Sequence, residues 1–214
     1  MRWEDQRKKM VEEDIKSRGI TDSKVLEALR KVPRQKFVPD VMEHLAYMDS
    51  PLAIGSGQTI SQPYTVAFMM QALDLSEEDT VLELGTGSGY QAALLAEIAS
   101  EVYTVERIPA LSNKAKEILD NLGYDNIHFA VSDGTLGWPE ADIKFDKIIV
   151  TAAAPEVPRS LKKQLKESGK IVIPVGNRMS QQMAVVTRQE DAFKTENLGY
   201  FCFVPLIGEE GWSH

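Results

Sequence analysis

From Thr80 onward, short apolar runs alternate with stretches of helical spacing, and few folds accept that rhythm. Runs at Thr80–Leu84, Glu101–Val105, Ile127–Val131, Lys147–Val150 and Lys170–Pro174 have the length and β-branched content of strands. Helix-like stretches at Tyr90–Ile98, Ala110–Leu122 and Pro158–Lys166 lie between them. Repeated strand–helix–strand units need right-handed crossovers, hence a mostly parallel sheet covered on both faces. The expected class is therefore α/β, doubly wound and Rossmann-like. Met183–Arg188 and Leu198–Pro205 lack a convincing helix between them and read as an antiparallel pair added to the sheet, with an exposed edge near 198–206.

Upstream, residues 3–17 predict a charged helix. A second helix spans Ser23–Lys31, capped by Thr21 or Asp22 and stopped by Pro33. Residues 48–61 read as a loop, and a third helix follows at Pro63–Leu73. The 214 residues suit one domain: a helical cap and loop (1–73), a core (74–176) and C-terminal strands (177–214).

A net charge of −8 argues against a partner gripped through its phosphates, so no nucleic acid is expected. The single cysteine, Cys202, excludes an internal disulfide and a cysteine metal cage, and reads as a small buried side chain in a strand. No metal is expected. The N-terminus is charged, unlike a signal peptide. No apolar run approaches the roughly 18 residues that span a bilayer. The expectation is a soluble cytoplasmic protein without membrane partners, and a monomer.

Open α/β sheets bind ligands beyond the carboxyl ends of their strands, so the residues just after Leu84, Val105, Val131 and Val150 are the first candidates for a site. After Leu84 comes Gly85-Thr86-Gly87-Ser88-Gly89-Tyr90, a strand running through three glycines into a helix. Glycines permit positive φ and close backbone approach. In the dinucleotide fingerprint G-x-G-x-x-G the third glycine stands where Tyr90 stands here, and Glu83 adds a negative charge inside the strand end. That charge suits an ammonium or a sulfonium better than a pyrophosphate. Glu106 ends the next strand, about 20 positions on, where an acid accepts from ribose hydroxyls. Asp133-Gly134 ends the third, where an acid can accept from an adenine amino group and a glycine lets the base approach. An ammonium, a diol and an adenine together describe S-adenosylmethionine. Read singly, each feature also has a plain alternative: a tight turn, a surface charge, an Asp-Gly turn.

The run Glu83–Gly89, with Glu106 and Asp133, resembles the class I S-adenosylmethionine-dependent methyltransferases. Other segments narrow the likeness. Gly57-Gln58-Thr59-Ile60-Ser61-Gln62-Pro63-Tyr64 is similar to the active-site loop of protein-L-isoaspartate (D-aspartate) O-methyltransferases. Val32–Pro39, Asp133–Trp138, Gly169–Gly176 and Phe203–Leu206 resemble further segments of that family, in its order. The likeness spans about Arg18 to Leu206. It implies cofactor contacts at Glu83, Gly85, Thr86, Gly87, Ser88, Gly89, Glu106, Arg107, Asp133 and Gly134, and catalytic roles for Ser61 with Thr59 beside it. Some members carry His after the loop's proline, so Tyr64 receives no role. Ser61 also precedes a helix and could serve as its N-cap.

The implied reaction moves a methyl group to the free α-carboxylate of L-isoaspartyl residues, and by extension D-aspartyl residues, in damaged proteins. The ester then closes to a succinimide with loss of methanol. An exposed strand edge and the glycines at 55–57 could pair with an extended substrate. Three rivals are weighed. The first is a class I methyltransferase acting on a small molecule or nucleic acid; an amino-methylating DNA enzyme would show an Asn/Asp-Pro-Pro-aromatic loop where Thr151-Ala152-Ala153-Ala154-Pro155 stands. An NAD-dependent oxidoreductase needs the third glycine one place later. A non-catalytic nucleotide sensor would have no use for an intact Gln58–Tyr64.

Overall fold

The computed structural model describes residues 2–140 and 142–213. Seven strands form one sheet: β3 (Thr80–Leu84), β4 (Glu101–Glu106), β5 (Ile127–Val131), β6 (Phe145–Val150), β7 (Leu165–Gly176), β8 (Gln181–Gln189) and β9 (Ala192–Phe201). Their spatial order is β5-β4-β3-β6-β7-β8-β9. β3 to β7 run parallel, while β8 and β9 are antiparallel. The chain winds outward one way from β3 through β4 to β5, then the other way from β6 to β7. The crevice at that reversal is where such sheets take ligands.

The apolar runs are continuous because both faces of these strands are buried. Successive side chains point to opposite faces, so Ile148 and Val150 enter one core cluster while Ile149 enters the other. Ile171 and Ile173 divide from Val172 in the same way. All six have 0 % exposure, and each such side chain is worth about 1.5–3 kcal/mol of burial. The first cluster is completed by α2 (Ser23–Lys31), α3 (Pro63–Leu73) and α4 (Tyr90–Ala96), and α5 (Pro109–Asn121) adds Leu111 and Leu119 to it. The second takes Leu161 from α6 (Arg159–Gln164). Asp22 caps α2 by accepting from the amides of Lys24 and Val25, the alternative that wins over Thr21. No helix among the described residues is long and apolar enough to cross a membrane.

Four expectations need correction. The stretch read as a loop at 48–61 contains a hairpin, β1 (Leu52–Gly55) with β2 (Gln58–Ile60). Its two-residue turn, Ser56-Gly57, has positive φ at both positions, and Leu52, Ile54 and Ile60 bury one face against the first core. The N-terminal helix is not uniform: α1 (Trp3–Lys9) widens into a π-type stretch, Met10–Ile15, whose Met10, Val11 and Ile15 are buried, and then tightens at Lys16–Arg18. The last strand begins earlier than expected, after a tight turn at Glu190-Asp191, and ends at Phe201. The exposed edge is therefore 192–201, and Val204–Ile207 lie instead against the crevice. Because the chain leaves the sheet at Phe201, Cys202 is exposed.

Candidate active site

A cleft opens at the carboxyl ends of β3, β4 and β6, where sheets of this kind take small molecules. Gly85, Thr86, Gly87 and Ser88 form its floor, and Glu106, Arg107 and Gly134 one wall. Thr59 from β2 and Ser61 from the β2–α3 connection face them, and Val204–Ile207 close the far side. The structure thus brings nine of the twelve expected site residues to one cleft.

The loop is held by side chains that reach it from neighbouring strands. The Thr151 hydroxyl, at the end of β6, donates to the carbonyls of Leu84 and Gly85, each at 2.9 Å. Gly85 has φ +96°, and a Cβ there would collide with that hydroxyl oxygen. Gly87, at φ +53°, differs: a Cβ would meet only Ile54 Cδ1 at 3.6 Å and the Gly85 carbonyl at 3.9 Å. Protein packing thus leaves free the space a ligand would use. The Glu106 carboxylate accepts from the amides of Gly87 (3.0 Å) and Ile108 (2.9 Å), and its remaining lone pairs can take ribose hydroxyls. A bare glycine, an acid at the wall and hydroxyls at Thr86 and Ser88 fit S-adenosylmethionine.

Three expected contacts do not line the cleft. Gly89, at φ +85°, is required by helix packing, since a Cβ would press on Ala115 and Leu119 of α5. Asp133 spends its carboxylate on the Thr135 amide and hydroxyl and on the Glu209 amide (2.8 Å), which ties the C-terminal segment across the end of β5. Glu83 is fully buried beneath the loop. Thr104 donates to it at 2.6 Å. Thr86 and Thr104 share a further hydrogen bond at 2.6 Å, in which either hydroxyl can donate. Burial pushes the Glu83 carboxyl up to about 8, against the Thr104 hydrogen bond and with help from nearby Glu106. Its Oε1 has no hydrogen-bond partner. Glu83 therefore reaches the cleft through two hydroxyls, and not directly.

Ser61 is freed from the capping alternative. The N-cap of α3 is Gln62, which makes no side-chain capping bond, and Pro63 opens the helix. The first turn is instead satisfied from a distance: Asp49 accepts from the Tyr64 amide (2.9 Å) and the Gln62 side chain (2.7 Å) and pairs with Arg18 (2.6 Å). From the other side Arg34, with 0 % exposure, donates to the carbonyls of Ser61 (2.9 Å) and Ala46 (2.8 Å). Asp49, Arg34 and Thr151 escape single-residue reading because each acts on a segment remote in sequence. Only Thr151, at a strand end beside β3, stands where a strand-end search looks.

The sequence profile of the protein-L-isoaspartate(D-aspartate) O-methyltransferases matches residues 5–211. The chain belongs to that family. Among curated relatives, a protein-L-isoaspartate O-methyltransferase from Petrotoga mobilis is 54% identical over 213 residues, covering 99% of this chain and 100% of its own. One from Geobacter metallireducens is 52% identical, covering 100% and 99%. A solved protein-L-isoaspartate O-methyltransferase superposes with a TM-score of 0.85 at 28% identity, over 96% of this chain and 67% of that one. A Plasmodium falciparum chain assigned to the same activity, in complex with S-adenosyl-L-homocysteine, gives 0.82 at 27% identity, over 94% and 98%. The family match therefore spans every segment that lines the cleft of this isoaspartate methyltransferase.

Proposed function

We propose that this cleft transfers a methyl group from S-adenosylmethionine to the free α-carboxylate of L-isoaspartyl residues in polypeptides, the first step of their repair. The observation that carries the reading is the Ser61 hydroxyl: it is not used as a helix cap, and it shares one cleft with the glycine loop and Glu106.

When bound, the cofactor supplies an electrophilic methyl group on a sulfonium. The chain's residues do the rest. Glu106 would take the ribose hydroxyls, Gly87 and Gly134 would admit the ligand to the backbone, and Thr86 and Ser88 would add hydroxyl contacts. A carboxylate with an ordinary pKa near 4 is already a nucleophile at neutral pH, so no strong base is needed. Neither His44 nor His128 lines the cleft, and His214 lies outside the described residues. Ser61 and Thr59 orient the carboxylate, while the apolar wall Val204–Ile207 excludes water. The ester formed loses methanol as the neighbouring amide closes on it. The succinimide then opens in part to normal aspartate.

A peptide containing isoaspartate and its aspartate twin, each supplied with S-adenosylmethionine, test this. Release of S-adenosylhomocysteine and methanol only with the first is expected. Equal activity on both, or none on either, overturns it. We further expect a cytoplasmic monomer without a nucleic-acid partner; the acidic balance supports the last point, and light scattering on the purified chain tests the second.

A further inference from the structure

Arg34 is a buried cation with no carboxylate in contact with it. Its guanidinium has 0 % exposure, and no carboxylate lies within 4.0 Å of it among the described residues. Its two hydrogen bonds go to neutral carbonyls, those of Ala46 and Ser61, and its Nη1 has no partner. The face of Tyr90 lies 4.8 Å from the guanidinium carbon. Desolvating a charge is costly unless something answers it. A cation–π contact and two carbonyls answer it in part.

Ser61 separates this cation from the cleft: its carbonyl accepts from Arg34, and the residue lines the cavity. An anion placed against Ser61 would lie one residue from a buried positive charge whose one carboxylate partner, Asp49, acts on it only from beyond contact distance. We propose that Arg34 is a positioning residue for the methyl acceptor. It fixes the Ser61 backbone by its carbonyl, and its charge draws the substrate's carboxylate to that residue. The proposal rests on the isoaspartyl reading, because that substrate brings a free carboxylate to this place. The buried guanidinium then gains a second carboxylate when substrate is bound, so substrate carboxylates are selected over neutral groups of the same shape.

The test compares two peptides as ligands in the presence of S-adenosylhomocysteine: one with the isoaspartyl α-carboxylate, one with that group replaced by a carboxamide. Wild type should prefer the carboxylate by about tenfold or more, the scale of one charge-assisted contact. Arg34→Gln, which can still hold a carbonyl but carries no charge, should lose the preference. Arg34→Lys should keep most of it. Affinity for S-adenosylhomocysteine should stay within about twofold in both, as expected for a residue remote from the cofactor loop. If Arg34→Gln weakens both peptides equally, or keeps the preference, Arg34 is structural and the proposal fails. If Arg34→Gln does not fold, Arg34→Lys decides, since loss of the preference in a folded Lys variant would sink the charge argument. A wild type that binds both peptides alike would also sink the proposal, whereas one that binds neither would refute the isoaspartyl reading itself.

Discussion

The Glu106 carboxylate, at the end of β4, accepts a hydrogen bond from the amide of Gly87 at 3.0 Å. One side chain thus braces the middle of the glycine loop and lines the cofactor cleft. Removing it should act twice, by loosening the loop and by deleting the ribose acceptor. Glu106→Ala is expected to weaken S-adenosylmethionine binding by about 1–3 kcal/mol, the range for a hydrogen bond to a charged group. Glu106→Gln should lose less, because its amide oxygen still accepts. Calorimetric titration giving unchanged affinity for Glu106→Ala would refute the placement.

The loop glycines should fail in different ways. Gly85→Ala drives a methyl group into Thr151 at a backbone conformation that L-residues avoid, so stability should fall by about 2–4 kcal/mol. Gly87→Val meets no such wall. It should fold, with a smaller strain of about 1–2 kcal/mol, and bind no S-adenosylmethionine. Urea melts paired with cofactor titrations separate the two. Normal cofactor affinity in folded Gly87→Val would mean that this loop is only a turn.

Since Gln62 and Asp49 serve the start of α3, Ser61→Ala should leave the melting temperature close to wild type. Turnover should suffer instead: kcat/KM for an isoaspartyl peptide is expected to fall roughly ten- to a thousandfold, about 1.4–4 kcal/mol of lost transition-state stabilisation. No base titrates in this mechanism, so the pH profile should keep its shape. A destabilised variant with full activity would hand the role to Thr59.

Glu83 should leave a mark on stability against pH. Burial lifts its carboxyl from 4.5 to about 8, so between those values the folded chain holds a proton that the unfolded chain has released. Stability from this group is complete below 4.5 and declines as pH rises toward 8. Glu83→Gln cannot titrate. Its denaturation midpoint relative to wild type should therefore rise from about pH 5 to about pH 9. A constant difference between the two proteins across that span would show that Glu83 has an ordinary carboxyl.

What the sequence made legible was local. A strand of consecutive buried residues, three glycines and a helix start all fall within Val81–Tyr90, and the acids at Glu106 and Asp133 are placed by strand ends alone. The hairpin at Leu52–Ile60 was obscured because Gly55, Ser56 and Gly57 mark a turn more loudly than three alternating apolar residues mark its strands. The tie from Asp133 to the C-terminal segment was hidden because nothing near it in sequence announces Glu209, whose amide it binds. Glu83 looked like a direct contact because strand-end position does not tell which face a side chain takes. Its alternation with Leu82 and Leu84 puts it on the face shared with Val81, beneath the loop. Arg34 was visible only as part of a family segment. Its two acceptors, Ala46 and Ser61, are carbonyls that no residue type advertises.

The strap from Phe203 to Ser213 has a consequence for the chain's life cycle. Glu209 and Glu210 donate their amides to Asp133 and Thr135, Glu210 also binds Ser160, and Trp212 donates to the Ala153 carbonyl, all on elements made much earlier in synthesis. A chain released or clipped before Glu209 would have its sheet and glycine loop in place, yet leave Asp133 and Thr135 without those partners. Because Val204–Ile207 wall the cleft just upstream of those ties, such a chain would lose the anchorage of that wall before it lost any strand.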